Sequence, residues 1–530
     1  MQNALELLCH KNMNIPYNRS KSPSRSKHSL VLSIAEHLKY KPSFLVTIIT
    51  LGFYFFLFAV GENFKFAVIA ALLMVTLYYL VTKNLFVSLF SAFLASAPFL
   101  TPAKQYEFEY ASASEYVFTQ WPNGIISSIK LTISNLLGIL IVLFILLEVI
   151  KRIIQSQRLI TNPFVIMLNL PLFKFISFCW LGYFSVSLYS SLYHSFYPEY
   201  SLYLLFEYSK LLIGFIGIIY LFVTKTKSVK YTYIVLLTML LFQNIVGFFQ
   251  FVTSLGNNNN LYTQDAEENI PFARIDGISF HANIHAFIIL MLLILILPYI
   301  AKRRGWIFNS VVFLSIANIF LSQSRTAWLG MIVIIAYVSV VFRNQTIKFI
   351  ITLMKLKKMY RIVLLSLLTS LIILPRLQAS SLFINEEGGG RLRARMILEG
   401  WQILQESPFV GFGLGTGVKV FLTNSSESYA TTFPQPIHFA FLELALESGI
   451  PGAIFFYAPF LVFLFKYTHL LIRPRRHSQL VLLSAMCGML ILLVNHSLQP
   501  AFGQLEFYLI GIALGSGVLS LSKINPEIYL

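Results

Sequence analysis

Residues 376–452, RLQASSLFINEEGGGRLRARMILEGWQILQESPFVGFGLGTGVKVFLTNSSESYATTFPQPIHFAFLELALESGIPG, lie between two long apolar runs. They form the longest polar interval after the N-terminal tail. The interval holds an arginine cluster (Arg391, Arg393, Arg395), a glycine-rich turn (Gly411, Gly413, Gly415, Gly417) and a lone histidine, His438. With apolar runs on both sides, the interval reads as a loop outside a bilayer. The rest of the chain then reads as the scaffold that presents it.

Composition demands such a scaffold. Of 530 residues, 57% are hydrophobic, 15% aromatic and only 12% charged, and the mean hydropathy is +0.72. A soluble domain carries about twice that charged fraction. Crossing a hydrocarbon core takes roughly 20 apolar residues per helix, and such runs recur along the chain. The expected fold is an all-α polytopic membrane protein of about 14 transmembrane helices, with a large extracytoplasmic loop before the last three. The runs lie near 43–60, 64–82, 85–100, 125–150, 168–190, 201–224, 232–255, 282–301, 306–322, 326–342, 361–375, 450–471, 479–496 and 505–522.

The division that follows is a basic cytoplasmic tail over 1–42, expected to be disordered, an N-terminal bundle over 43–255, and a core over 256–530 that includes outer loop 376–449. The tail (NRSKSPSRSKHS) has no apolar stretch followed by a small-residue cleavage site, so it does not read as a signal peptide.

The net charge of +18 invites a nucleic-acid reading, but the distribution of charge excludes it. Lys and Arg concentrate in the tail and in alternate connectors: Lys83; Lys151, Arg152 and Arg158; Lys225, Lys227 and Lys230; Lys302, Arg303 and Arg304; Arg343 to Arg361; and Arg473, Arg475 and Arg476. The intervening connectors are acidic or neutral, as with Glu107, Glu109 and Glu115, or Asp265, Glu267 and Glu268. Basic connectors mark the cytoplasmic side, which puts both termini inside. The three cysteines, Cys9, Cys179 and Cys487, support neither a disulfide framework nor a thiolate metal site.

Against that pattern, the outward connectors collect the chemistry. NIPFARIDGISFHANIHAFIIL brings Arg274, Asp276, His281, Asn283 and His285 to the mouth of one span, and SQSRTAW puts Arg325 at the membrane edge. The long loop adds Arg391, Arg393, Arg395 and His438, and the last outer connector adds His496, Gln499 and Gln504. An arginine near hydrocarbon is costly and marks function by default. Its planar fork of donors also suits phosphate oxygens. Converging arginines therefore suggest a substrate carrying phosphate or diphosphate near the bilayer surface.

Plainer readings stand beside these. Arg325 can snorkel to headgroups, Arg274 can pair with Asp276, and one or more of Arg391, Arg393 and Arg395 can be merely solvated. His438 can be structural. His281 and His285 share a helix face but have no third ligand, so no metal site is expected. GFGLGTG lacks the Lys-Ser/Thr ending of a phosphate-binding loop and reads as a flexible segment passing close to a glycan or headgroup. PIHFAFLELALESGIPG reads as a short amphipathic helix that stops at Gly449–Pro451.

The segments RIDGISFHANIHA (274–286), SQSRTAWLG (322–330), RARMILEGWQILQESPFVGFGLGTG (393–417) and HFAFLELALESGIPG (438–452) together resemble the superfamily of O-antigen ligases and O-antigen polymerases. The resemblance implies transfer of a glycan from undecaprenyl diphosphate to an acceptor hydroxyl on the extracytoplasmic face of a bacterial inner membrane, without metal or other cofactor. The acceptor is lipid A–core in ligases and another repeat unit in polymerases. It further implies that Arg274 and Arg325 hold the diphosphate and that His438 lies near the reacting groups. Arg391, Arg393, Arg395, His281 and Asn283 are carried as substrate-binding candidates. Phe439 stands where the family has asparagine, and Ala282 where it has proline, departures that bear on acceptor contacts more than on fold.

Partners are thus the lipid-linked donor, a glycan or lipid A–core acceptor and membrane lipid, with no nucleic acid. The alternatives are a polymerase joining repeat units and, more remotely, a lipid-linked sugar transporter. A transporter should hold charge near the midplane. Here Lys174 and Lys210 are the main exceptions inside spans, near ends where they are expected to snorkel.

Overall fold

The structure is a computed structural model that describes residues 42–60, 64–97, 102–107, 128–154, 163–170, 172–224, 228–254, 275–277, 282–302, 306–343, 389–424, 436–472, 479–499 and 503–521. Three helices come first: α1 (Pro42–Val60), α2 (Phe64–Thr82) and α3 (Leu85–Ser96). Strands β1 (Pro102–Glu107) and β2 (Ser128–Thr132) follow. Then come α4 (Ile133–Ile154), α5 (Pro163–Leu168), α6 (Phe173–Tyr193), α7 (Pro198–Thr224) and α8 (Val229–Ser254). The next three are α9 (Ala282–Lys302), α10 (Trp306–Leu321) and α11 (Arg325–Val341). The last five are α12 (Gly389–Leu404), α13 (Gly417–Asn424), α14 (Ala440–Ile472), α15 (Gln479–His496) and α16 (Gly503–Ser520).

Seven of these helices are long and apolar enough to cross a membrane: α4, α6, α7, α8, α9, α14 and α15, while α1, α2, α3, α10, α11 and α16 contain shorter apolar stretches. Hydrocarbon offers no hydrogen bonds, so a chain this apolar closes its backbone bonds within helices. Large apolar side chains on the outside, such as Leu147, Phe178, Phe249 and Phe465, suit lipid contact. This is the architecture of a multi-pass membrane protein. The run at 361–375 and the tail at 1–41 lie outside the described residues.

The helical expectation has one local correction. Residues 128–132 are not the start of a helix but a strand, paired antiparallel with β1 and offset by a bulge between Pro102 and Lys104. The helix begins at Ile133 because the Thr132 hydroxyl accepts from the Asn135 N–H at 3.4 Å, the role of an N-terminal cap.

At the centre stands α9, buried from Ala286 to Ile296. Around it the packing crosses position 255 of the sequence: α6 lies along α14, and α7 along α16. The second contact is backbone on backbone. A Cβ on Gly214 would strike the Tyr508 carbonyl, and one on Gly511 the Leu211 carbonyl. Small residues drive such close contact in membranes, where dispersion replaces the hydrophobic effect.

Lys210 does not snorkel. It is 3% exposed, and its Nζ lies 2.6 Å from Glu207 Oε2 one turn earlier. The other Glu207 oxygen accepts from Asn135 Nδ2 at 2.5 Å. A buried ammonium is tolerated only when paired, and the Glu-x-x-Lys spacing supplies the partner from the same helix. Lys174, by contrast, is exposed at the start of α6.

Outside the bundle core, α12, α13 and the first turns of α14 enclose a second, smaller core of Met396, Ile403, Val418, Phe421, Ile437, Leu442 and Leu446. The described part of the long interval is therefore a folded cap. We predict that Gly511→Val lowers stability by about 1–3 kcal/mol through overpacking at the α7–α16 contact, measured by unfolding in detergent. Gly52→Val, whose added Cβ meets nothing within 4 Å, serves as the neutral comparison.

Candidate functional site

The cap is stitched to the bundle at a kink in α14. Gly449 has φ 71° and ψ 166°, conformations that end one helix and start the next. A helix end leaves carbonyls without partners, and here the glycine turn supplies them. Phe412 N–H donates to the Leu446 carbonyl at 2.8 Å and Gly413 N–H to the Glu447 carbonyl at 2.9 Å, while Ile450 N–H donates to the Pro408 carbonyl at 2.8 Å. Gly415 N–H donates to Glu447 Oε1 at 2.8 Å. From the bundle, Ser190 Oγ donates to the Glu447 carbonyl at 2.8 Å, and Ser201 Oγ to the Leu414 carbonyl at 2.6 Å.

Two sequence expectations change accordingly. The helix at 440–448 does not stop at Gly449–Pro451 but turns and continues as a span. The glycine run is not a loose segment but is held by backbone hydrogen bonds to α14. Gly411 and Gly413, at φ 74° and 94°, let the chain press onto the α14 backbone and onto Ser195, where any Cβ would collide.

Arg325 is the first residue of α11. The turn before it is tightly built: Gln323 adopts φ 53°, and Ser324 caps the helix by accepting from Ala327 N–H at 3.3 Å. Behind it, Trp328 Nε1 donates to the Ile319 carbonyl at 3.2 Å and Gln499 Nε2 to Thr326 Oγ1 at 3.1 Å. The part-buried guanidinium thus belongs to a helix N-terminus, where backbone N–H groups and the helix dipole already favour an anion.

Arg393 comes from α12 in the cap, also part-buried. Burial, and then the nearby charge of Arg325, hold its guanidinium below the ordinary range. Both groups remain cations, since arginine is not deprotonated in proteins. Two like charges from separate elements are therefore close enough to repel. Arg395 is more exposed and pairs with Glu399 at 2.6 Å. Arg391 is in the same helix, and its side chain lies outside the described residues.

His438, part-buried, opens the approach to α14. Its Nδ1 is 3.1 Å from the Pro436 carbonyl. A carbonyl only accepts, so in the neutral ring Nδ1 carries the proton and Nε2 the lone pair. Gly400 of α12 packs against Ile437 and Leu442, so the helix that bears Arg393 also touches the residue beside His438. α12 thus carries Arg393 and also the glycine that packs beside His438. Arg274 and His281 lie outside the described residues.

Asn283 is part-buried in the first turn of α9. His496 and Gln499 do not face outward; both are buried, and His496 Nδ1 is 2.8 Å from the Tyr457 hydroxyl. The Gln504 side chain lies outside the described residues. Sequence reading missed Gln250, whose amide donates to Asp276 Oδ1 at 2.8 Å and accepts from Gly277 N–H at 2.8 Å, fixing the turn after Arg274. Among the described residues no group of three His, Cys, Asp or Glu is arranged to hold a metal.

Fold and site define a multi-pass membrane protein with a folded cap packed on its helical bundle. A family model described as O-antigen ligase matches residues 310–457, from α10 through the kinked α14. The match contains Arg325, the arginines of α12, the glycine turn and His438, and it supports a glycan-processing role of ligase or polymerase type. No curated protein matches the chain.

Glu447→Ala removes the acceptor for Gly415 N–H and is expected to cost about 1–3 kcal/mol. Glu447→Gln keeps a carbonyl oxygen there and should unfold within a degree or two of wild type in about the same detergent conditions.

Proposed function

We propose that the protein transfers a glycan from undecaprenyl diphosphate to an acceptor hydroxyl at the extracytoplasmic face of a bacterial inner membrane. In this reading fourteen spans leave both termini in the cytoplasm, and the core over 256–530 carries the chemistry. The observation that carries it is the family match over 310–457, which contains Arg325 at a capped helix N-terminus and Arg393 within reach of its charge. A diphosphate reaching both would meet two planar donor forks and the start of a helix, each suited to phosphate oxygens. The family match over the same residues supplies the substrate class, a lipid-linked glycan.

A sugar 1-diphosphate brings its own leaving group. Arg325 and Arg393, with Arg274 as the third candidate, neutralise the charge that grows on the diphosphate as the anomeric C–O bond breaks. The acceptor oxygen forms the new bond to the anomeric carbon. Its proton passes to His438 Nε2, the nitrogen left basic by the Pro436 contact. Undecaprenyl diphosphate leaves. Arg391, Arg395, His281 and Asn283 remain candidates for contacts with the glycan or lipid.

A polymerase would use the same site with a repeat unit as acceptor. Transport is less well supported, because the buried charges at Glu207 and Lys210 neutralise each other. His438→Ala should abolish transfer from the lipid-linked donor while the protein still inserts. Arg325→Lys, which keeps charge but loses the bidentate fork, should reduce kcat/KM by about 10-fold or more. Glycan profiles of a deletion strain separate the acceptors: loss of all long chains from lipid A–core indicates ligase, and single repeats still attached indicate polymerase. Normal attachment by the His438→Ala protein would refute its assignment as the base.

A further inference from the structure

The cap helix α12 has three faces. Met396, Gly400, Ile403 and Leu404 are buried against the rest of the cap. Arg395, Glu399 and Gln402 make a polar face, on which Arg395 and Glu399 pair. On the third, Ala394, Ile397, Leu398 and Trp401 stand at i, i+3, i+4 and i+7 and are all exposed. Leu398 is 66% and Trp401 57% exposed, and Phe409, in the turn after the helix, is 75% exposed.

This apolar surface adjoins the lipid-facing side of a span. Ile450 N–H donates to the Pro408 carbonyl at 2.8 Å, and a Cβ on Gly449 would strike the Phe409 carbonyl. Phe409 therefore stands at the head of α14, whose outer side exposes Ile450, Ile454, Leu461 and Phe465. Beside it, the last turns of α6 expose Tyr189 and Tyr193, where Ser195 meets Gly413 of the glycine turn. Exposed Tyr and Trp at the end of a span mark the boundary between hydrocarbon and water. Successive hydrogen bonds from Gln405, Glu406 and Ser407 N–H to the Gln402, Ile403 and Leu404 carbonyls hold α12 close to that level.

We infer that the exposed apolar face of α12, together with Phe409, docks on the phospholipid bilayer itself. Leu398, Trp401 and Phe409 enter the boundary between headgroups and acyl chains in the leaflet on the cap side, and Arg395, Glu399 and Gln402 stay in water. The inference rests on the multi-pass fold and not on the transferase reading. A handful of side chains is too little for a stable dimer, which buries at least about 1,000 Å², but it suits a helix whose chain is already anchored by spans. The cap is then held to the membrane along α12 as well as through α14.

Depth is measured by electron paramagnetic resonance on full-length protein in nanodiscs of phosphatidylethanolamine and phosphatidylglycerol. Cys9→Ser removes the thiol of the tail, and Cys179 and Cys487 are buried. Spin labels are placed in turn at Leu398→Cys and Phe409→Cys, with Phe465→Cys as the lipid reference and the exposed Thr423→Cys of α13 as the aqueous one. The labels at 398 and 409 should be reached by oxygen in preference to a water-soluble nickel chelate, at a depth of about 5–10 Å, between the two references. In unlabelled protein, the fluorescence lost in Trp401→Phe should be quenched by brominated acyl chains and not by iodide. Nickel access at 398 and 409 equal to that at 423, or quenching of Trp401 by iodide alone, overturns the inference. So does exclusion of both reagents at 398 and 409, which would mean that a second copy or another segment of the chain covers the face.

Discussion

The Gly449 kink is the constraint on which the outer half of the molecule depends. A straight helix from Ala440 to Ile472 would satisfy its own carbonyls and give the cap nothing to hold. Bending at Gly449 releases the carbonyls of Leu446 and Glu447, and Phe412 and Gly413 N–H groups close on them. Only glycine lets the two backbones approach this closely. The same junction orders the cap helix of Arg393, because Gly400 on that helix packs on Ile437 and Leu442 just before the kink. A backbone hydrogen-bond requirement thus determines where a charged side chain is placed.

Charge in and beside the cap is unevenly placed, although Arg395 and Glu399 pair on the same helix. Arg393 feels the charge of Arg325 at the start of α11, while Glu443 and Glu447 line a cavity on the α7 side. Deeper in the bundle, Glu207 and Lys210 cancel each other and are closed by Asn135. That pair ties α4 to α7, and α7 supplies the tyrosines of the cavity. Second-sphere polar contacts have the same character: Gln250 fixes the turn at Asp276, and Gln499 fixes Thr326 beside Arg325.

The helices are legible because hydrocarbon favours a helical backbone, and apolar runs mark the described apolar helices between Pro42 and Ser520 within a few residues at most ends. The start of α4 was missed because Ser128–Thr132 lies in an apolar neighbourhood, and its pairing with β1 is not local. The arginines and His438 were legible as types in outward connectors. Their neighbours were not, since Gln250 meets Asp276 from 26 residues away and Gln499 meets Thr326 from 173. Gly411 to Gly415 were read as flexible, although their dihedrals are dictated by partners on α14. Lys210 was the avoidable error, since Glu207 stands three residues before it. The acidic cavity was missed because Glu443 and Glu447 read as one face of a surface helix, and Tyr200 is brought to them only by packing.

The arrangement stands or falls on whether the paired guanidinium groups form an anion site. The most direct measurement is calorimetric titration of the purified protein with a short soluble prenyl diphosphate, compared with the corresponding prenyl alcohol. Saturable binding of the diphosphate alone, weakened in both Arg325→Gln and Arg393→Gln and falling with added salt, is the expected result. Equal binding of alcohol and diphosphate, or a diphosphate affinity that neither substitution changes, would contradict it.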